Sequence, residues 1–174
     1  MKKIGVIMGS DSDLPIVEKA IEILDTFQMS YEVHVFSAHR TPNDTIAFSR
    51  NARENGFGVL IAAAGMAAHL AGFIAANTTL PVIGIPIRSK GLGGMDALMS
   101  TVQMPLGIPV ATVAIDGAAN AALLAIQILA TDDRNLAFRL DEKRRTDAKK
   151  ILNKNNAVED RFNTQFNEEP NEHM

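Results

Sequence analysis

Cysteine is absent from this chain, and with it go disulfide frameworks and thiolate chemistry. Tryptophan is absent as well and tyrosine occurs once, so the aromatic walls that a flavin site usually wants are missing. No basic stripe runs along the chain, which argues against nucleic acid as a partner. The Gly-Lys-Ser ending of a Walker loop, a Gly-x-Ser-x-Gly elbow and paired metal-binding cysteines are all lacking. Met1-Lys2-Lys3-Ile4 runs directly into a strand-like stretch, with neither the long apolar region nor the cleavage site of a signal peptide. Together with the missing cysteines, this sets the expectation of a cytoplasmic protein.

Charge is scarce in the middle. Between Asn55 and Thr131 only Arg88, Lys90, Asp96 and Asp116 are charged. A monomer of this size shows more charge over so long a stretch. Much of the middle is therefore expected to be buried, in part between copies of the chain, as in a homo-oligomer. The segment from Asn153 onward holds Lys154 and Arg161 against Glu159, Asp160, Glu168, Glu169 and Glu172, and so carries the whole formal charge of −3. Its asparagine and acid content reads as a loosely ordered tail, 153–174, behind one domain at 1–152. The 174 residues are enough for one sizeable core. Gly56 to Ala76 is apolar or small apart from His69 and long enough to span a bilayer. Its alanine and glycine content, with Gly65 and His69 near the middle, fits a buried strand, a turn and a buried helix better, so no membrane association is expected.

What the chain does have is alternation. Strand-like runs fall at Lys3–Met8, Tyr31–Phe36, Gly58–Ala63, Pro81–Ile85 and Pro109–Ile115. Helix-like runs fall at Leu14–Phe27, Pro42–Asn55, Ala67–Asn77, Asp96–Gln103, Ala118–Ala130 and Arg134–Leu152. This order predicts an α/β fold, a doubly wound parallel sheet with helices on both faces plus a C-terminal helix. Ligands of such sheets bind outside the carboxyl ends of the strands. The loops Gly9–Asp13, Ser37–Pro42, Ala64–Leu70 and Pro86–Asp96 are therefore the ones to read for chemistry.

Gly9-Ser10-Asp11-Ser12-Asp13 places two hydroxyls and free amides at a helix start, a natural phosphate cradle, with a carboxylate at hand for ribose hydroxyls. The same string also serves as an ordinary helix cap. It resembles a calcium loop only at its start, because Leu14-Pro15-Ile16-Val17 follows where further ligands would be needed. Ser37-Ala38-His39-Arg40-Thr41-Pro42 puts a proton-transfer group beside a fixed cation, and Thr41-Pro42 reads as an N-cap with proline at the first helical position. Histidine titrates near neutral pH, and arginine grips anions with two prongs. The pair suggests an enzyme acting on a phosphorylated or carboxylated small molecule; a capping histidine and a surface ion pair are the plainer alternative. His69 lies where a strand gives way to a helix in an almost uncharged region, either as a satisfied core group or as a partner of His39 on the neighbouring strand end. His34 and His173 carry no such signal. The third strand ends in alanines, so the phosphoacceptor aspartate of a receiver domain is missing.

Gly9–Asp13, Ser37–Pro42, Ala67-Ala68-His69-Leu70 and Val102-Gln103-Met104-Pro105-Leu106-Gly107-Ile108-Pro109-Val110 together resemble the 5-(carboxyamino)imidazole ribonucleotide mutase family of purine biosynthesis, and Asn120-Ala121-Ala122-Leu123-Leu124-Ala125 continues the likeness. It runs in order from about Ile4 to Leu152. The resemblance implies a flavodoxin-like three-layer domain assembled as an octamer, with no metal, ATP or biotin. It implies a substrate whose carboxylate moves from the exocyclic nitrogen of aminoimidazole ribonucleotide to the adjacent ring carbon. Carried over by motif, Ser10, Ser12 and Arg40 would hold the phosphate and Asp13 the ribose. His39 would shuttle the proton and His69 would help shape the carboxylate site. Ser37, Ala38, Gly65, Ala67 and Leu70 would line the substrate. A sister family carboxylates aminoimidazole ribonucleotide directly; it has lysine where Arg40 stands and lacks Ala-Ala-His-Leu, which places this chain with the mutases. The family usually reads Gly-Gly-Ala-Ala-His-Leu-Pro-Gly where this chain has Gly65-Met66-Ala67-Ala68-His69-Leu70-Ala71-Gly72. Ala63 and Ala97 stand where glycine and serine are usual, and the Asp116-Gly117 turn is shorter than in many members.

Overall fold

A strand buried on both faces must be apolar along its whole length rather than at alternate positions. Ile4 to Met8, Phe57 to Ala63 and Val82 to Ile87 meet that condition without a break, and these three runs form the centre of a sheet in a computed structural model describing residues 2–163. The strands are β1 (Lys3–Met8), β2 (Tyr31–Val35), β3 (Phe57–Gly65), β4 (Val82–Ile87) and β5 (Ala111–Thr112), all parallel, in the order β2-β1-β3-β4-β5. This is the flavodoxin-like order, whose direction of winding reverses between β1 and β3. Register brings the strand ends level: Met8 pairs with Val35 on one side and Ala63 on the other, and Gly65 pairs with Ile87.

Helices α1 (Leu14–Thr26) and α5 (Ala118–Ala130) pack together over one face. The alanines at 118, 121, 122 and 125 are fully buried, and their small side chains let α5 approach closely. Helices α2 (Pro42–Asn51), α3 (Leu70–Ala75) and α4 (Met95–Val102) belong to the other face. Gly84 is the contact that sets their depth, since a Cβ there would collide with Thr101 and crowd Ala71. The expected α/β layers are present, and the apolar segment Gly56 to Ala76 forms β3, a turn and α3. No helix among the described residues is long and apolar enough to cross a membrane.

Element bounds shift by up to four residues elsewhere, as where α2 ends at Asn51 instead of Asn55, and three further elements depart from expectation. The fifth strand is two residues long instead of seven, because Pro109 has no amide to offer and Pro86 opposite has none either. Its continuation survives only as separate bonds, Val113 N–H to Gly84 O and Asp116 N–H to Pro86 O. Helix α3 starts at Leu70 rather than Ala67, since Ala67 and Ala68 are used in the turn that follows β3. The last helix, α6, runs from Arg134 to Phe162, ten residues past the expected end at Leu152. The expected loose tail is therefore helical in its first part. No glycine or proline occurs between Gly117 and Pro170, so nothing in the chain breaks the helix. Ion pairs one turn apart support α6: Lys143 with Asp147 at 2.5 Å and Arg145 with Glu142 at 2.7 Å. Residues 164–174, including His173, lie outside the described residues.

The chain divides into two compact units, a body ending at Asp133 and a second unit beginning at Arg134. Every loop that carries candidate chemistry is in the body.

Candidate active site

Four loops at the carboxyl ends of β1 to β4 converge on one cleft of about 930 Å³. The first begins where Ser10 leaves β1 in extended backbone, with φ −153° and ψ 151°. Its hydroxyl oxygen accepts from the Ser12 amide at 3.3 Å and from the Ser12 hydroxyl at 2.9 Å, which holds the two serines together over a short 3-10 turn, Asp11–Asp13. Asp13 closes the turn by donating its amide to Ser10 O at 3.2 Å. Its side chain is buried, and burial pushes the carboxyl above the ordinary range, with the Ser12 hydroxyl and Ser10 backbone pulling the other way.

The second loop is tied by Ser37 and Thr41. The Ser37 amide donates to Thr41 Oγ1 at 2.9 Å, and the Thr41 hydroxyl donates to Ser37 O at 3.2 Å. Thr41 does occupy the N-cap of α2 with Pro42 behind it, but its hydroxyl is engaged with Ser37 and makes no cap bond. The knot presents Arg40. Its amide and its Nε both reach Ser37 Oγ, at 3.2 and 3.4 Å, and its Nη2 donates to Gly9 O at 3.0 Å. Arg40 thus spans from the second loop to the first and sets its cation beside the paired serines.

The third loop brings the histidines together. After Gly65 the chain turns at Met66, which holds a left-handed φ of 55°. Tight bonds from Ala68 N–H to Met66 O and His69 N–H to Ala67 O follow, and His69 becomes the N-cap residue of α3. His69 Nδ1 lies 2.8 Å from His39 Nε2, with the rings nearly perpendicular at 81°. One proton lies between those nitrogens, so one ring donates while the other accepts. Both rings are exposed to the cleft. His34, by contrast, stacks on Phe36 at 5.2 Å and leans on Phe48, away from the cleft lining.

All eleven residues singled out from the sequence line this cleft: Ser10, Ser12, Asp13, Ser37, Ala38, His39, Arg40, Gly65, Ala67, His69 and Leu70. The loop after β4, noted from the sequence but given no role, adds Arg88, Ser89, Lys90, Leu92 and Asp96. Arg88 is held by Asp116, through its amide at 2.9 Å and its Nε at 3.1 Å, and Ser89 donates to Asp96 at 2.9 Å. Lys90 has no ion pair among the described residues and is the free cation of that wall. Its signal in the sequence was a lone lysine in an almost uncharged stretch. Among the described residues no group of three or more histidines and carboxylates is placed to hold a metal ion.

Residues 3–150 match the AIR carboxylase family. The chain belongs to that family. An N5-carboxyaminoimidazole ribonucleotide mutase of Pyrococcus abyssi is 60% identical over 129 residues, 74% of each chain. The protein of the same description from Bacillus subtilis is 53% identical over 151 residues, covering 86% of this chain and 93% of its own. Among solved structures, a crystal structure of Treponema denticola PurE aligns with a TM-score of 0.82 at 29% identity, covering 90% of this chain and 98% of that one. Membership accounts for the layering of the fold and for the clustering of all four loops in one cleft.

Proposed function

We propose that this member of the AIR carboxylase family is an N5-carboxyaminoimidazole ribonucleotide mutase of purine biosynthesis. The observation that carries the reading is the His39–His69 pair at 2.8 Å, in the same cleft as the paired serines and Arg40. Ser10, Ser12 and Arg40 bind the phosphate, combining hydroxyl donors, helix-start amides and a charged fork. Asp13 accepts from the ribose hydroxyls. This end fixes the nucleotide and leaves its base toward the histidines.

The chemistry then needs one proton moved twice. His39 protonates the exocyclic nitrogen, the nitrogen–carboxyl bond breaks, and carbon dioxide is freed inside the cleft. The released amine pushes electrons into the ring, whose neighbouring carbon attacks the carbon dioxide. The proton displaced from that carbon returns to His39, so acid and base are the same side chain and the reaction is a net isomerisation. His69, at the other end of the hydrogen bond, holds the His39 ring in position and selects which nitrogen carries the proton. The small side chains of Gly65 and Ala67 leave room for the planar ring. The reaction as written consumes no ATP and uses no metal or biotin.

An octameric assembly in the cytoplasm completes the reading. Met95, Met99 and Val102 on α4 and Leu106 beyond it are exposed apolar side chains on the body, a surface suited to contact between copies. The deciding experiment follows conversion of N5-carboxyaminoimidazole ribonucleotide to its ring-carboxylated isomer without ATP or bicarbonate, beside aminoimidazole ribonucleotide with bicarbonate. Fast conversion in the first reaction alone supports the mutase. Activity only in the second makes the protein a direct carboxylase, and binding without either reaction makes it a nucleotide-binding module.

A further inference from the structure

Met66 stands in a conformation that its side chain opposes. Its φ of 55° lies in the left-handed region, where a Cβ crowds the following carbonyl and glycine is the residue without cost. The turn it makes ends β3 and delivers His69, a task glycine would perform equally well. A strained residue kept at a site points to work done by its side chain. That side chain is 69% exposed, and it lines the cleft that holds the histidines. Leu92 borders the same cleft from the loop after β4 and is 67% exposed. Leu92 lies between Gly91 and Gly93, both of which face open space, while Gly94 packs against Ile115 and anchors the end of the loop. Two large apolar side chains therefore border the cleft from separate loops, Met66 within the tight turn that leads into His69 and Leu92 from the loop after β4.

We infer that Met66 is an apolar stopper, acting with Leu92, that keeps carbon dioxide in the cleft between its release from nitrogen and its capture by the ring carbon. The inference rests on the mutase reading. Carbon dioxide has no charge and no strong hydrogen-bond donor to hold it, so retention depends on closing the exit and excluding water. A flexible thioether suits that role because it adapts to the ring before and after transfer. Met66 breaks and forms no bond. It sets the ratio of recapture to escape.

The test supplies the full-length protein with N5-carboxyaminoimidazole ribonucleotide in buffer containing 13C-bicarbonate and carbonic anhydrase. Label in the ring carboxylate and free aminoimidazole ribonucleotide are both read by mass spectrometry, per turnover. Met66→Gly should raise both by about fivefold over the wild type, with a melting temperature no lower because the left-handed cost is gone. Met66→Gln keeps the length and the strain but exchanges the apolar tip for an amide, and should raise both in the same direction. Label and escape per turnover equal to wild type in both variants would overturn the inference, whatever the variants do to the overall rate. Wild-type protein that does not convert the nucleotide at all would instead overturn the mutase reading on which it rests.

Discussion

The two ends of the cleft are built on different principles. At the phosphate end Ser10, Ser12, Ser37, Arg40 and Thr41 are bound to one another and to backbone through a continuous set of hydrogen bonds. On the walls supplied by the loops after β3 and β4, Met66, Lys90 and Leu92 are exposed, and Gly91 and Gly93 on either side of Leu92 face open space. The first end is preorganised, so it binds an anion without paying to order its own groups. The second has side chains free to move onto a substrate that changes shape as its carboxylate migrates. A rigid grip at one end lets the reactive end adapt without losing register.

Mutations can break this division or sharpen it. The largest effect should come from His39, which adjoins Arg40 in the chain and is bonded to His69 across the cleft. His39→Asn should lower kcat by at least about 10³-fold, the upper part of the range for a general acid–base group. Nucleotide binding measured by calorimetry should stay close to wild type, and turnover near wild type would remove His39 from the proton-transfer role. Next is the rigid end. Arg40→Ala deletes a charged fork and the link to Gly9, and should weaken nucleotide affinity by about 2–3 kcal/mol, roughly 30- to 150-fold. A loss confined to kcat would contradict the phosphate assignment.

The adaptable end should respond more gently. Lys90→Ala is expected to raise KM by roughly tenfold or less while leaving the melting temperature unchanged, since Lys90 has no ion pair among the described residues. If its melting temperature fell instead, the lysine would belong to the rigid part. The smallest effect concerns Asp13. Burial raises its carboxyl, so the folded state binds the proton more tightly than the unfolded chain does. Stability from this group is present at low pH and is lost as pH rises from the ordinary carboxylate range through the raised value. Denaturant midpoints of Asp13→Asn against wild type should therefore diverge in the variant's favour as pH rises through that window, and a constant gap would rule out the titration.

Much of this is legible in the amino-acid sequence. The uninterrupted apolar runs at Ile4–Met8 and Phe57–Ala63 could satisfy their chemistry only as buried strands, and the polar strings after them could only be loops at the strand ends. Asparagine and acid content point to a loose tail from 153 onward, but 153–162 are helical, as the absence of glycine and proline permits. Lys90 and Leu92 lay in a loop marked for attention, yet their side chains acquire a role only once β4 is seen to deliver them to the cleft.

The sequence by itself determined the order of strands and helices, the loops that carry chemistry and the residue types within them, because periodicity and turn chemistry are local properties of the chain. Only the tertiary structure decided that His39 and His69, 30 residues apart, share a hydrogen bond. It also diverted the Thr41 hydroxyl to Ser37. The left-handed turn at Met66 is of the same kind, a torsion with no local preference behind it. Each of these depends on which distant groups the folded sheet brings within reach, and neither spacing nor composition contains that information.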